Sequence, residues 1–486
     1  MENETIVTKF AKFCCGLRFE DLDKRVVDKI KQLILDQLAV EIACAVLPWN
    51  KELYDYIRML DASGPCTVVG YDLKTNVEYA VMANSTFGHG FEIDDADLRG
   101  GPVGHPGSIT VPVAIAIAET RPRPVSGKRM IEAVVAGYEI MAAIARGIQP
   151  SSHFSRGFHA QGAGGPFTGA AVAGVLLDYN VPTLANAFSL AASHSGGIME
   201  YANTGGNIKR LHAGLAAMGG VRSALLSKYG WTGPPTAIEG KRGFCHAFAQ
   251  DYSLDAITAV LGKEFWCPDT VIKAYCCNAN LTPVIDAVRA ILAETSLKPE
   301  EVEAVEVYHS QRAQHSIGSI GPEPPDKVGA QFSVHFSVAM ALVKGSNDFN
   351  ALMTADVKDP ELIHHARKVR MITDEEANEK IKKGHIWARV IIKTKNGRSL
   401  TSSQYAKGSP QNPMSQEEVE EKARRLAITN LESAKVEELL ALCRHLEDVA
   451  DVTDIVRLIA KQGRREGVDR REGVLHNNDY NPSTSL

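Results

Sequence analysis

Three stretches of this chain combine helical apolar spacing with so much alanine and glycine that only closely packed helices accommodate them. They are GAAVAGVLLD at 169–178, LANAFSLAASHSGG at 184–197 and LHAGLAAMGGVRSALL at 211–226. A glycine inside a helix costs about 0.8–1.0 kcal/mol relative to alanine, so helices that keep several must gain from close approach of their backbones. Upstream, Val27, Ile30, Leu33, Ile34, Leu38 and Ile42 follow one helical face. Most segments up to about residue 265 read the same way. The first half is expected to be a tightly packed helical body.

The texture changes after about residue 268. EVEAVEVYHS (301–310) and WARVIIKTKNGRSLTSS (387–403) alternate β-branched and polar residues, and Asn396-Gly397 between two such runs is a strong hairpin signal. From about 408, KGSPQNPMSQEEVEEKARRLA opens another helix, with Ser415 as N-cap and Glu418 completing a capping box. A chain of 486 residues exceeds one compact core. The expected fold is mainly α with an α+β insert: helical residues 1–268, a smaller α+β domain at 269–407, a helical return segment at 408–461, and a frayed polar tail at 462–486. No internal repeat is present.

With a formal net charge of −5 and neither a basic stripe nor an acidic tail, nucleic acid is an unfavourable partner. No run reaches the roughly 18 apolar residues of a membrane span, and the N-terminus lacks a signal-peptide pattern. A cytoplasmic protein is expected, with mitochondrial or peroxisomal residence left open; the terminal STSL is only a weak likeness of a peroxisomal signal. Nine cysteines without a C-x-x-C suggest reduced thiols rather than a disulfide framework or zinc site.

Four stretches join glycine to titratable residues. Between 88 and 108, GHGFEIDDADLRGGPVGHPGS holds His89, Glu92, Asp94, Asp95 and His105, and it runs into the apolar ITVPVAIAIAE, so it is expected to line a cleft. RGFHAQGAGGPFTGAA carries His159, GGNIKRLHAG carries Lys209, Arg210 and His212, and VIKAYCCNAN carries Lys273 and Tyr275. Singly, each has a bland reading: a satisfied structural histidine, a solvated Lys-Arg face. The glycines at 162–169 are no dinucleotide fingerprint, because no strand precedes them. His89 and Glu92 with Asp94, Asp95 and His105 form a candidate set for a hard or borderline metal. Taken together, lysines and an arginine would hold a substrate bearing several carboxylates, while histidines move a proton to or from carbon.

The acidic run followed by HPGS and VPVAIAIAE, the GFH turn, IKRLHAG, the lysine before YCC and the return helix QNPMSQEEVEEKARRLA resemble, in this order, the MmgE/PrpD family over about residues 5–460. That family includes 2-methylcitrate dehydratase, cis-aconitate decarboxylase and iminodisuccinate epimerase. The resemblance implies a large all-helical domain built from both chain ends, a smaller α+β lid between them, a homodimer, and no required cofactor or metal. In the decarboxylases the matching site positions are His105, His159, Lys209 and Lys273. Three positions depart: Glu92 stands for an aspartate, Ala96 for a threonine and Phe336 for a tyrosine.

The expectation is a cofactor-independent lyase of a small di- or tricarboxylate, working by decarboxylation or dehydration. His105 and His159 would exchange protons with substrate carbon, oriented by Asp94 or Asp95. Lys209, Lys273 and Arg210 would bind carboxylates, with His212, Glu92 and Tyr275 completing the pocket. An epimerase with histidines on opposite faces of the carbon is the alternative, and a catalytically idle binding or scaffold protein is a third.

Overall fold

The computed structural model describes residues 4–97, 104–149 and 151–460. The polar tail expected from 462 lies outside these residues, as do 98–103 of the acidic run. The protein is mainly α with small sheets. The face marked by Val27 to Ile42 lies on the helix Lys24–Cys44, capped by Asp23, whose side chain accepts from the Val26 N–H. Every residue from Leu33 to Cys44 is buried, including Asp36, Gln37 and Glu41, so this helix is enclosed on all sides.

The return helix Gln416–Ala427 packs on it and begins at the expected capping box of Ser415 and Glu418. A buried ion pair, Lys422 Nζ to Asp36 at 2.6 Å, joins the two. Breaking such a pair would leave a charge without compensation.

The Ala/Gly-rich stretches form the helices Ala160–Leu176 and Ile208–Lys228, with Val181–Ala191 beside them. A Cβ on Gly220 would sit 2.5 Å from the Pro166 carbonyl oxygen and 2.7 Å from Gly169 Cα, so the two backbones touch there. Gly214, on the same helix, faces Met82 and Thr86 of the helix Val77–Gly88 equally closely. Close approach is the gain for which the helical glycines are retained.

A four-stranded sheet has the order Val369–Thr373, Val302–His309, Trp387–Thr394, Ser399–Tyr405. The first two strands are parallel and the rest antiparallel. The last two form the expected hairpin, with Gly397 left-handed at φ +82° and its N–H donating to the Thr394 carbonyl. This is the three-residue loop ending in glycine rather than the two-residue Asn-Gly turn. The helices Thr282–Thr295 and Val334–Val343 cover the sheet.

Buried apolar residues fall mainly into two clusters. One gathers the chain from Ile6 to Cys276, then Ala330–Ala366 and Val419–Ile459; the other is built on the sheet. The helix Val334–Val343 gives Phe336, Ala339 and Met340 to the first and Val334, Val338 and Ala341 to the second. Among the described residues no helix is long and apolar enough to cross a membrane.

The packing at Gly220 predicts that Gly220→Ala loses about 1–3 kcal/mol of stability despite its better helix propensity. Gly164→Ala, whose added methyl meets nothing closer than 3.7 Å, is neutral or stabilising. Denaturant unfolding of the two variants measures the difference.

Candidate active site

Four helix ends converge on one buried cluster. His89 is the C-cap of Val77–Gly88, and His105 stands two residues before Gly107–Thr120. His159 is the N-cap of Ala160–Leu176, and Lys209 and His212 lie in the first turns of Ile208–Lys228. Three of these ends are N-termini, whose unpaired N–H groups and dipoles favour anions. Gln161 locks two of them together: its Oε1 accepts from the His105 N–H at 2.8 Å and its Nε2 donates to the His105 carbonyl at 3.0 Å.

Lys273 arrives from a distant part of the sequence. Ala96 and Val271 exchange two backbone hydrogen bonds of 2.9 Å, and this bridge sets the Lys273 ammonium beside the acidic loop. Lys273 Nζ stands 3.4 Å from Asp94 Oδ1 and 3.6 Å from Glu92 Oε2. The other Glu92 oxygen accepts from Lys209. Glu92, Asp94, Lys209 and Lys273 are all buried, and two cations answer two anions.

The imidazoles are tied to the same group. The Nδ1 of His89 is 2.7 Å from Asp94 Oδ2. The Nδ1 of His105 is 2.6 Å from the Asp95 carbonyl oxygen and 3.3 Å from Asp94 Oδ2. His159 and His212 share a hydrogen bond between their Nδ1 atoms at 3.0 Å, so one donates and the other accepts. Ring centroids of His89 lie 4.7 Å from His105 and 5.9 Å from His159.

Burial controls the electrostatics. It pushes His89 down to about 3, outweighing the attraction of Asp94. It lowers His105, partly offset by Asp94, and holds His159 well below the usual imidazole range with help from the neighbouring rings. His212 falls to about 4 through burial and the Lys209 charge. Burial lowers Lys209 as well, and the charges of Lys273 and Arg210 add to this. Burial alone would raise Asp94, but His105, His89 and Lys273 outweigh it and keep the carboxyl ionised. Around neutral pH the free site therefore presents neutral imidazoles.

Three of the sequence expectations need correction. The Asp95 carboxyl, although an oxygen of it lies within 4.8 Å of Asp94 and a His105 ring nitrogen, is engaged elsewhere: it accepts from the Tyr138 hydroxyl at 2.7 Å and the Gly107 N–H, and burial with the Asp94 charge raises it to about 8. His105 is oriented by the Asp95 backbone carbonyl instead. Arg210 donates to the Gly90 carbonyl at 2.8 Å and to Asn207, with its guanidinium 4.1 Å over the Trp49 ring. It fastens the acidic loop. The Tyr275 hydroxyl donates to Asp286 at 2.7 Å within the sheet-side cluster.

Other groups at the cluster carried little sequence signal. His89 counted only as a metal ligand, yet it is fully buried between His105 and His159. Tyr201 stacks edge-on against both His159 and His212, with centroids at 5.6 and 5.9 Å. Phe336 is sealed in the core, whereas the Phe332 ring lies 5.4 Å from Lys209 Nζ. A short helix holding Tyr201 and a phenylalanine in an irregular turn follow no periodic pattern that would mark them.

Known proteins resemble the chain along nearly its whole length. The chain is 27% identical over 477 residues to a cis-aconitate decarboxylase of Aspergillus terreus, covering 93% of this chain and 96% of that one. It is 25% identical over 467 residues to the cis-aconitate decarboxylase of Homo sapiens, covering 94% and 95%. Residues 8–256 match the MmgE/PrpD N-terminal domain and residues 275–448 the MmgE/PrpD C-terminal domain. With both domain models matched in order along nearly its whole length, the chain belongs to the MmgE/PrpD family.

Proposed function

We propose that this protein is a lyase that releases CO₂ from a small unsaturated tricarboxylate of the cis-aconitate type, with no cofactor. The observation that carries the reading is the meeting of buried imidazoles with two buried ammonium groups at converging helix N-termini. The names of the full-length relatives support the substrate class.

In this reading Lys209 and Lys273 exchange Glu92 and Asp94 for substrate carboxylates. The departing carboxylate sits away from them, because a paired carboxylate resists losing its charge. Its C–C bond breaks, and the electron pair passes into the conjugated carbon–carbon double bond and the carboxylate beyond it. An ammonium stabilises that enolate, and His159 or His105, as imidazolium, returns one proton to carbon. Substrate and one proton thus become CO₂ and product. For dehydration the same acid would protonate a leaving hydroxyl. The segment 269–407 acts as a lid in this scheme, since Lys273 stands at its entrance and its closure completes the site and excludes water. The homodimer belongs to the same reading, and exposed Ile208, Leu215, Tyr229 and Trp231 along and beyond one helix offer it a surface.

A proton time course by NMR in D₂O, with cis-aconitate, 2-methylcitrate and citrate supplied separately, tests the reading. New vinyl signals with loss of a carboxylate are expected. Deuterium exchange at carbon without a new product would instead identify the epimerase, and silence across the panel would overturn the lyase. His159→Gln is expected to lower kcat/KM by about 10²–10⁴-fold while the thermal unfolding midpoint stays near that of the parent.

The electrostatics give a second prediction. The imidazoles are neutral in the free site, with His89 near 3 and His212 near 4, but the reaction needs an acid. Substrate charge raises an imidazole pKa by Coulomb attraction, so a proton enters with the ligand. Titration calorimetry of a saturated tricarboxylate, in buffers of different ionisation enthalpy, should read uptake of about one proton per site near neutral pH. Affinity should fall as pH rises, by up to about tenfold per unit. Zero uptake would remove the imidazoles from the acid role.

A further inference from the structure

We propose that the imidazoles of His89, His105 and His159 form a binding site for one borderline divalent cation, of the zinc or cobalt class. One ring nitrogen from each residue lies within 4.8 Å of the others. Each ring is already held through Nδ1: His89 by Asp94, His105 by the Asp95 carbonyl and His159 by His212. His89 and His105 are held as metal-ligating histidines commonly are, by a carboxylate or carbonyl on one ring nitrogen while the other is left for the ion; His159 is held by an imidazole instead.

An independent observation points the same way. The Nε2 of His89 is buried and has no hydrogen-bond partner among the described residues. A carboxylate oxygen can only accept, so the neutral ring carries its proton on Nδ1 and a lone pair on Nε2. A buried acceptor without a partner is costly, and coordination would satisfy it. Zinc–nitrogen bonds of about 2.0–2.1 Å put tetrahedral ligand atoms about 3.4 Å apart. Ligand nitrogens within 4.8 Å of one another would have to draw together by up to about 1.4 Å to reach that spacing.

Charge permits the ion. The ammoniums of Lys209 and Lys273 are matched by the carboxylates of Glu92 and Asp94, and three imidazoles alone hold zinc in known sites. Nitrogen ligands select zinc, cobalt, nickel or copper over magnesium and calcium, which require oxygen. The same imidazoles carry the proton in the lyase reading, so cation and substrate would exclude one another; only this last consequence rests on that reading.

The test is a cobalt titration of the full-length protein after treatment with a chelator. Visible ligand-field bands saturating at one cobalt per chain are expected, absent with magnesium and displaced by zinc. His89→Gln should abolish them, and Asp94→Asn should weaken cobalt binding about 10–100-fold. His364→Gln, at an exposed histidine, should leave them unchanged. Circular dichroism checks each fold, and His105→Gln replaces His89→Gln if the latter fails to fold. No bands in the parent, or bands that survive loss of His89, would overturn the site as adventitious binding. Displacement of the bands by cis-aconitate is expected as well; its failure, with the bands otherwise as described, would overturn the shared occupancy and leave the cation site standing.

Discussion

The structure turns on Asp94. A carboxylate with no exposure is tolerable only if its charge is answered where it sits, and the groups that answer it are His89, His105 and Lys273. These come from a helix C-terminus, a helix N-terminus and a distant segment. One buried anion thereby sets the relative placement of three side chains of the candidate site. Removing it would strand Lys273 and release both rings, so its loss should damage the site more than any single imidazole's.

The loop carrying Asp94 is held along its backbone. Arg210 caps the Gly90 carbonyl, Gln331 donates to Phe91, Lys422 to Ile93, and Val271 pairs with Ala96. Those partners come from four different parts of the chain. Glu92 lies within this frame with φ at +55°, a left-handed conformation that costs a non-glycine residue energy and persists only where the surroundings over-determine it. In this conformation its carboxylate meets Lys209 and Lys273. Lys422 serves twice, since the same ammonium pairs with Asp36, and the return helix is thereby coupled to both the central helix and the loop.

Close helix packing has a functional consequence. Because Gly214 and Gly220 let Ile208–Lys228 lie against two other helices, its first turn reaches the C-terminus of one and the N-terminus of the other. Helices with larger side chains would pack about 8–10 Å apart, and Lys209 and His212 would then stand farther from His89 and His159. The alanines and glycines that mark the sequence as helical are also what bring the titratable residues together.

What was legible in the sequence is what has local periodicity: the apolar face of Lys24–Cys44, the hairpin around Gly397, the cap at Ser415. The misreadings lie beside residues that do reach the cluster. Asp95 adjoins Asp94, Arg210 adjoins Lys209, and Tyr275 is two residues from Lys273. Adjacent side chains diverge by about 100° on a helix and point to opposite sides of an extended chain. In a buried site, one neighbour joins the cluster while the other finds a different partner, as Asp95 does on Tyr138 and Arg210 on Gly90 and Trp49. A motif therefore locates a site to within a residue or two. Which of two neighbouring charges faces inward is decided by the Ala96–Val271 bridge and the helix contacts, and these are non-local.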